Sequence, residues 1–231
     1  MTDDALPTPA VWRRVDTYLA ETLVGHDAAL EAAVHEQDAA GLPAIEVAPL
    51  NGKLLHLLAR AIGARRVLEI GTLGGYSTIW LARAVGDGGE VVTIEAEPAH
   101  AAVARGNLDR AGVGERVRIE IGRGADVLPG LEPGFDLVFI DADKQSNALY
   151  LDHAARLSRP GALVIVDNVV RSGRLVTTDE SDEQAEGVRR GLALLAADPR
   201  FEATALQTLD AKGWDGIAVA IVTDAASRSG S

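Results

Sequence analysis

Residues 137–141 read LVFID and residues 162–167 read ALVIVD, so two short apolar runs each end in an aspartate. Apolar runs without polar alternation are typical of strands that are buried on both faces of a parallel sheet. Helices cover the two faces of such a sheet, and its ligands bind at the carboxyl ends of the strands. We therefore expect an α/β fold in which Asp141 and Asp167 lie at the ligand-binding edge.

Strand and helix patterns alternate around these two runs. Two further strand patterns, Phe201–Thr208 and Gly216–Val222, predict a C-terminal antiparallel hairpin. The order of patterns predicts a Rossmann-like, doubly wound, mostly parallel seven-stranded sheet. The other strand patterns lie near residues 66–70, 90–95, 116–121, 135–141 and 161–167, and the helix patterns near residues 76–85, 98–111, 124–130, 146–158 and 184–197.

Helical patterns dominate the start of the chain. Residues 9–40 predict two amphipathic helices, and residues 50–62 predict a third after a connector from Pro43 to Pro49. We interpret residues 1–48 as an N-terminal helical extension of a core at residues 49–223, within a single domain of residues 1–231. Two segments have no regular pattern: residues 177–186, expected to form a polar, acidic loop, and residues 225–231, expected to be frayed.

The composition limits the class of partner. The chain has 231 residues and a net charge of -12, so a phosphate backbone would be repelled and nucleic acid is excluded as a partner. It contains no cysteine, which removes disulfides and thiolate zinc sites. No apolar run reaches the roughly 18 residues of a membrane helix. We expect a soluble, cytoplasmic protein that acts on a small molecule and does not bind a membrane.

A glycine-rich turn, GTLGGYS at residues 71–77, follows the first strand pattern. Glycines at such a turn let the backbone approach a ligand closely. A dinucleotide-binding turn would have glycines where Leu73 and Tyr76 stand, so a pyrophosphate is disfavoured. Glu95 ends the second strand 24 residues after Gly71, near the spacing at which an acid binds a ribose diol. These features favour a nucleoside site over the alternatives, an ordinary strand-to-helix turn and a solvated acid.

The side chains that follow the two apolar runs favour a metal site. Asp141, Asp167 and Asn168 offer only oxygen donors, which suit Mg²⁺ or Ca²⁺ better than Zn²⁺. The alternative is that they cap the following helices, as Asp and Asn commonly do. Lys144 is a candidate base beside such an ion, and its alternative is a surface lysine at the start of a helix.

Five motifs in this order resemble the cation-dependent O-methyltransferases that use S-adenosylmethionine, a group that includes the catechol and caffeoyl-CoA O-methyltransferases. The resemblance covers about residues 40–223. The motifs are Glu69-Ile70-Gly71, Gly75-Tyr76-Ser77, Glu95, Asp141-Ala142-Asp143-Lys144 and Asp167-Asn168.

The resemblance implies a role for each matching residue. Lys144 would accept the proton of the acceptor hydroxyl, so that the phenolate attacks the sulfonium methyl in line. The metal, most often Mg²⁺ with Mn²⁺ or Ca²⁺ as alternatives, would be bound by Asp141, Asp167 and Asn168. S-adenosylmethionine would be bound by Val47, Glu69, Gly71, Ser77, Glu95, Gly124, Ala125 and Asp141, although Val47 fits the core equally well. The acceptor would be a small aromatic vicinal diol, and the protein would be a homodimer.

Two other classes of function stay open at this stage. The pair Asp141 and Asp143 after an apolar strand superficially resembles the nucleophile motif of Mg²⁺-dependent phosphatases. That motif belongs on the first strand, however, whereas here it follows the fourth. A nucleoside-binding regulatory module without chemistry is the other alternative, and Lys144 argues against it because sensing needs no base.

Overall fold

The computed structural model describes residues 8–177, 179 and 181–224. The helices of this part of the chain are α1 (Pro9–Leu23), α2 (Ala28–Ala39), α3 (Pro49–Ala61), α4 (Tyr76–Val85), α5 (Pro98–Arg110), α6 (Gly124–Val127), α7 (Asn147–Leu157) and α8 (Glu183–Ala197). The strands are β1 (Arg66–Ile70), β2 (Glu90–Glu95), β3 (Val117–Ile121), β4 (Phe135–Ile140), β5 (Ser158–Asp167), β6 (Phe201–Asp210) and β7 (Gly213–Val222). Short 3₁₀ turns include Lys144–Ser146 and Arg171–Val176.

The starts of the N-terminal helices follow from local chemistry. Helices α1 and α3 begin at Pro9 and Pro49, where the missing N–H costs nothing and the fixed φ favours a first turn. The side chain of Asp27 caps α2 by accepting hydrogen bonds from the backbone amides of Ala29 and Leu30. The three helices predicted before the first strand are therefore present.

The strands form one seven-stranded sheet in the order β3-β2-β1-β4-β5-β7-β6. Neighbours from β3 to β5 pair in parallel, whereas β7 is antiparallel to both β5 and β6. This confirms the predicted Rossmann-like, mostly parallel sheet with a C-terminal antiparallel hairpin. The strand order reverses between β1 and β4, which is the switch point where ligands bind in such folds.

The strand register places the predicted site residues side by side at the carboxyl edge of the sheet. Ile70 pairs with both Ile94 and Ile140, and Ile140 in turn pairs with Val166. The residues that follow these positions are Gly71, Glu95, Asp141 and Asp167. Hydrogen bonding in the sheet therefore aligns the four strand ends at its carboxyl edge.

Apolar side chains pack on both faces of the sheet. Leu68 and Val138 contribute to the core on one face, and Leu137 and Ile165 contribute to the core on the other. All four side chains are fully or almost fully buried. This two-sided burial explains why the strands that precede Asp141 and Asp167 contain no alternating polar residues.

Some predicted boundaries need correction. The helix expected near residues 124–130 is only the four-residue α6, followed by a 3₁₀ turn at Leu128–Gly130, because Pro129 cannot continue the α-helical hydrogen bonding. Helix α8 begins at Glu183, capped by Asp182, so the last four residues of the loop expected at 177–186 are helical. The segment expected to be frayed, residues 225–231, lies outside the described residues.

None of the helices within residues 8–177, 179 and 181–224 is long and apolar enough to cross a membrane.

Candidate active site

A cavity of about 1260 Å³ opens at the carboxyl ends of the parallel strands. Its wall combines the turns that follow β1, β4 and β5 with the end of β2. The predicted site residues on this wall are Val47, Gly71, Ser77, Glu95, Gly124, Asp141, Lys144 and Asn168. The predicted residues that the wall does not include are Glu69, Ala125 and Asp167. The fold therefore gathers most of the predicted site in one place.

Gly71 is required where the turn after β1 meets the turn after β4. Its φ is +102°, and a Cβ atom built there would lie 2.1 Å from the carbonyl oxygen of Asp141. No other residue type fits this contact without moving the backbone. The two turns are thus in direct main-chain contact, and Gly75, with φ +84°, then caps the start of α4.

Glu69 lies behind the cavity wall rather than on it. Its carboxylate is fully buried and accepts hydrogen bonds from the hydroxyls of Ser77 at 2.6 Å, Thr78 at 2.5 Å and Thr93 at 2.7 Å. Burial raises the pKa of Glu69 to about 7 in spite of these donors. Ser77 does reach the wall, so Glu69 fixes the position of Ser77 and ties β1 to the first turn of α4.

Glu95 is held on the wall by backbone amides. Its Oε2 accepts hydrogen bonds from the amides of Thr72 at 3.2 Å and Leu73 at 2.7 Å, and its Oε1 accepts one from the amide of Glu97 at 3.0 Å. The Nδ1 atom of His100 lies 3.5 Å from the same Oε1. His100 lies in the first turn of α5 and lines the cavity. It was not predicted as a site residue, because only the folded chain shows that its ring turns back toward Glu95.

Lys144 and Asp141 form an ion pair at the turn after β4. The Nζ atom of Lys144 donates to Oδ1 of Asp141 at 2.8 Å, and the lysine is only 6% exposed. Burial of this degree is unusual for a lysine and rules out the alternative of an ordinary surface residue.

Asp143 anchors the turn that carries Lys144. Its carboxylate accepts hydrogen bonds from the hydroxyl of Ser146 at 2.5 Å and from the hydroxyl of Tyr150. Helix α8 packs on the other side, where a Cβ atom on Gly187 would lie 2.2 Å from the carbonyl oxygen of Lys144. The backbone of the Lys144 turn is thus enclosed between α7 and α8.

Asp167 ends β5 and Asn168 follows it, beside Asp141. Burial, and after it the negative charge of Asp141, raises the pKa of Asp167 well above its ordinary value. Asn168 has a left-handed backbone, with φ +58°, and its amide donates to Oδ1 of Asp167 at 2.7 Å. Its side-chain amide forms no hydrogen bond within the described part of the chain and lines the cavity.

Asp215 of β7 holds the loop after Asn168. Its Oδ1 accepts hydrogen bonds from the amides of Val170 at 3.0 Å and Arg171 at 2.9 Å. This contact could not be predicted from the sequence, because Asp215 lies more than forty residues further along the chain. Asp215 thereby fixes where Arg171 enters the cavity wall.

The three oxygen donors fit a hard divalent cation. Two buried or half-buried carboxylates of like charge stand at adjacent strand ends, and an amide oxygen adjoins them, which is the ligand chemistry of Mg²⁺ or Ca²⁺. Among residues 8–177, 179 and 181–224, no group of three or more His, Cys, Asp and Glu side chains is placed to hold a metal. The candidate set contains two carboxylates and one amide, so water or an acceptor would complete the coordination.

Val47 and Gly124 lie at other parts of the wall. Val47 is buried, and the preceding Glu46 accepts hydrogen bonds from Gln37 at 2.7 Å and Lys212 at 2.9 Å, which ties the connector to α2 and to the β6–β7 turn. A Cβ atom on Gly124 would lie 2.7 Å from Cε1 of Tyr150, so the wall is closely packed here.

Comparisons with known proteins all point to one family. A family model described as O-methyltransferase matches residues 21–220. The catechol O-methyltransferase of Mycobacterium tuberculosis is 55% identical over 209 residues, which cover 90% of this chain and 94% of that protein.

Solved structures agree with the sequence comparison. The O-methyltransferase from Bacillus cereus in complex with SAH superimposes with a TM-score of 0.91 at 48% identity, over 94% of this chain and 100% of that one. The O-methyltransferase TomG from Streptomyces achromogenes, involved in tomaymycin synthesis and solved in complex with SAM, gives a TM-score of 0.90 at 45% identity, over 95% and 100% of the two chains.

Proposed function

Because the chain belongs to the O-methyltransferase family, we propose that it transfers the methyl group of S-adenosylmethionine to one hydroxyl of a small aromatic vicinal diol, of the catechol or caffeoyl type, and that the reaction requires a divalent cation. The observation that carries this proposal is the buried Lys144, 2.8 Å from Asp141. This pair stands beside Asp167 and Asn168, on the same cavity as the glycine turn. One cavity thus contains a candidate base, oxygen ligands and a nucleoside-binding turn.

The cofactor is proposed to occupy the β1–β2 side of the cavity. An ionised carboxylate offers about four acceptor positions. Three of those of Glu95 are taken by amides, so capacity remains for a ribose hydroxyl. Gly71 allows a close backbone approach, and Val47 and Gly124 border the remaining wall. The hydroxyl of Ser77 donates its proton to Glu69, so its oxygen remains as an acceptor toward the cofactor. Glu69 and Ala125 would act from outside the wall, Glu69 through Ser77.

The cation is proposed to bind to Asp141, Asp167 and Asn168. Their oxygens favour Mg²⁺, with Mn²⁺ and Ca²⁺ as alternatives that share these donors. Two observations support the site: the like charges of Asp141 and Asp167 meet in a buried place, and the side-chain amide of Asn168 has no partner in the described residues.

Lys144 is proposed to take the proton of the reacting hydroxyl. When bound, S-adenosylmethionine supplies an electrophilic methyl group, and a divalent cation favours ionisation of a hydroxyl that it ligates. Asp141 would hold the cation, and the amine of Lys144, 2.8 Å from Oδ1 of Asp141, would accept the proton. The Lys144 turn, enclosed by α7 and α8, holds this amine in place, and positioning of this kind is a large part of catalysis.

The two other hypotheses lose their support. The aspartate pair follows β4, the fourth strand along the described chain, and not the first strand as in the phosphatase motif. A binding module without chemistry would not need a buried lysine among oxygen ligands. The family match opposes both.

We also propose that the protein is a homodimer. Apolar residues on α1 are strongly exposed, with Tyr18 at 67% and Leu23 at 61%. Leu206 and Leu209 on the edge strand β6, against which α1 packs, are exposed as well. A second copy would cover these side chains and the free edge of β6. The cytoplasmic location and the division into an extension of residues 1–48 and a core of residues 49–223 stay predictions.

The proposed reaction is tested with labelled S-adenosylmethionine and a panel of aromatic acceptors. Each vicinal diol is paired with the monophenol that lacks one hydroxyl, and each assay is run with Mg²⁺, with a chelator, and after Mg²⁺ is restored. We expect labelled product from diols alone, loss with the chelator, and recovery with Mg²⁺. Full turnover in metal-free protein would show that the reaction needs no cation. Equal labelling of the monophenols would show that the acceptor need not be a vicinal diol.

A further inference from the structure

Arg171 is a cation on the cavity wall that has no acidic partner in the described part of the chain. It lies three residues after Asn168, so it stands at the side of the cavity where the proposed acceptor binds. Within residues 8–177, 179 and 181–224 it forms no ion pair, although acidic residues outnumber basic ones by 34 to 22 in the chain. A cation that has no ion pair among the described residues of so acidic a chain is a candidate to bind the negative charge of a ligand.

The hydrogen bonds of the Arg171 guanidinium are incomplete. Its Nη2 atom donates to Oε1 of Gln184, which also lines the cavity. Its Nε atom is enclosed by protein and has no acceptor among the described residues. The Nη1 atom and the second N–H group of Nη2 also have no acceptor among the described residues, so a ligand in the cavity can bind the guanidinium through them.

Three acids on the segments that adjoin this loop have other partners. Asp182 accepts a hydrogen bond from Arg174 at 2.8 Å, and Glu186 accepts one from Arg189 at 2.9 Å. Asp215 uses its Oδ1 on backbone amides, including that of Arg171 itself at 2.9 Å. These three acids therefore stabilise the loop and α8. None of them pairs with the guanidinium of Arg171, which stays available to a ligand.

The backbone keeps Arg171 in this position. Its φ is +55° and that of the following Ser172 is +53°, so two successive residues other than glycine adopt the left-handed conformation. Such conformations cost free energy and persist where the surroundings enforce them. Here the two hydrogen bonds to Asp215 supply that constraint.

We infer that Arg171 selects acceptors whose aromatic ring carries a carboxylate, either directly or on a short side chain. The inference rests on the proposed function, because it assumes that the diol binds beside Asn168. A planar guanidinium matches a carboxylate with two parallel hydrogen bonds, and such charge-assisted bonds are stronger than neutral ones. Arg171 would therefore be a specificity determinant, acting on acceptor binding and not on proton transfer.

The test compares two acceptors that differ in charge at one position. The full-length protein with Mg²⁺ and S-adenosylmethionine is assayed with 3,4-dihydroxybenzoate and with 3,4-dihydroxybenzamide, which has the same diol but no negative charge. The ratio of the two kcat/KM values is measured for the parent, Arg171→Gln, Arg171→Lys and Arg190→Gln. Arg190 is exposed on α8 and does not line the cavity, so its variant controls for the loss of one positive charge.

We expect Arg171→Gln to lower the acid-to-amide ratio about tenfold, through a higher KM for the acid, because one charge-assisted contact is lost. The amide should keep its kcat/KM within about twofold, which also shows that the variant is folded. Arg171→Lys should retain part of the preference, and Arg190→Gln all of it. Comparing variants cancels the intrinsic difference in reactivity between the two diols.

Three results would overturn the inference. One is an unchanged ratio in Arg171→Gln, and another is an equal loss with both acceptors, which would make Arg171 a structural residue. In both cases diols are still methylated, so the proposed function stands. If the parent protein methylated none of the diols, the proposed function would be wrong, and the inference would fall with it.

Discussion

A Cβ atom on Gly187 of α8 would lie 2.2 Å from the carbonyl oxygen of Lys144, so the helix packs against the turn of the proposed base with no room for a side chain. Asn147, one residue past the same turn, faces Gly191, where a Cβ atom would lie 3.1 Å from that of Asn147. The location of the Lys144 backbone is therefore set by a helix that begins almost forty residues later.

Gly187→Ala is expected to displace the Lys144 turn. Overpacking of this kind typically costs about 1–3 kcal/mol of stability. We expect kcat to fall about tenfold or more while the affinity for S-adenosylmethionine stays within a few-fold, because the cofactor side of the cavity is remote from α8. Denaturant unfolding, steady-state kinetics and calorimetric titration measure the three quantities.

Gly106→Ala is the matched control for that variant. Gly106 lies in α5 and is exposed, and a Cβ atom there meets no other atom within 4 Å. Alanine should leave activity unchanged and raise stability by about 0.4–1 kcal/mol, since it favours the helix. Equal kcat in Gly187→Ala and Gly106→Ala would show that α8 does not position Lys144.

Replacement of Lys144 by arginine should abolish most turnover. Arginine keeps the positive charge that pairs with Asp141 but cannot give up its proton in a protein. We expect a loss of about 10²–10⁴-fold in kcat for Lys144→Arg, and a similar loss for Lys144→Ala, because general-base catalysis is removed. Calorimetry should give unchanged binding of S-adenosylmethionine. Parental turnover in Lys144→Arg would show that charge alone suffices and that the lysine is not a base.

Asp167→Asn tests the proposed cation site. The variant replaces the carboxylate by an amide of nearly the same shape. Mg²⁺ should then no longer raise the melting temperature or stimulate activity. Metal-free Asp167→Asn should be at least as stable as the metal-free parent at pH 8, because a buried charge beside Asp141 is gone. Asp126→Asn, at an exposed position on α6, is the control. Retention of Mg²⁺ stimulation in Asp167→Asn would remove Asp167 from the ligand set.

Glu69 should make stability depend on pH. Its pKa is raised from 4.5 in the unfolded chain to about 7 in the folded protein. The unfolded chain therefore loses this proton first, and stability falls as the pH rises from about 4.5 to 7. Glu69→Gln carries no such proton, so between pH 5 and 8 the parent should lose roughly 2–3 kcal/mol more than the variant. Urea unfolding at both values measures the difference, and equal losses in the two proteins would contradict the assignment to Glu69.

Much of the fold could be predicted because its information is local. The apolar runs before Asp141 and Asp167 are strands that are buried on both sides, and the parallel register places their ends together. The same logic put Glu95 and Gly71 at one edge. The family, named from motifs at these strand ends, is confirmed by the family model.

The remaining features depend on contacts between distant parts of the chain. The need for glycine at position 187 arises from Lys144, and the hold of Asp215 on Arg171 crosses from one strand to the loop after another. Glu69 was expected to line the cofactor, yet three hydroxyls enclose it behind the wall, because its side chain points to the face of the sheet that α4 covers. The spacing of residues along the sequence does not predict such packing.

The main-chain contact between Gly71 and Asp141 has an evolutionary consequence. It joins the turn proposed to bind the nucleoside to the lysine turn through main-chain atoms alone, so the sheet itself sets the distance between them. Residues around the mouth of the cavity can then diverge to accommodate new acceptors while the geometry for group transfer is preserved.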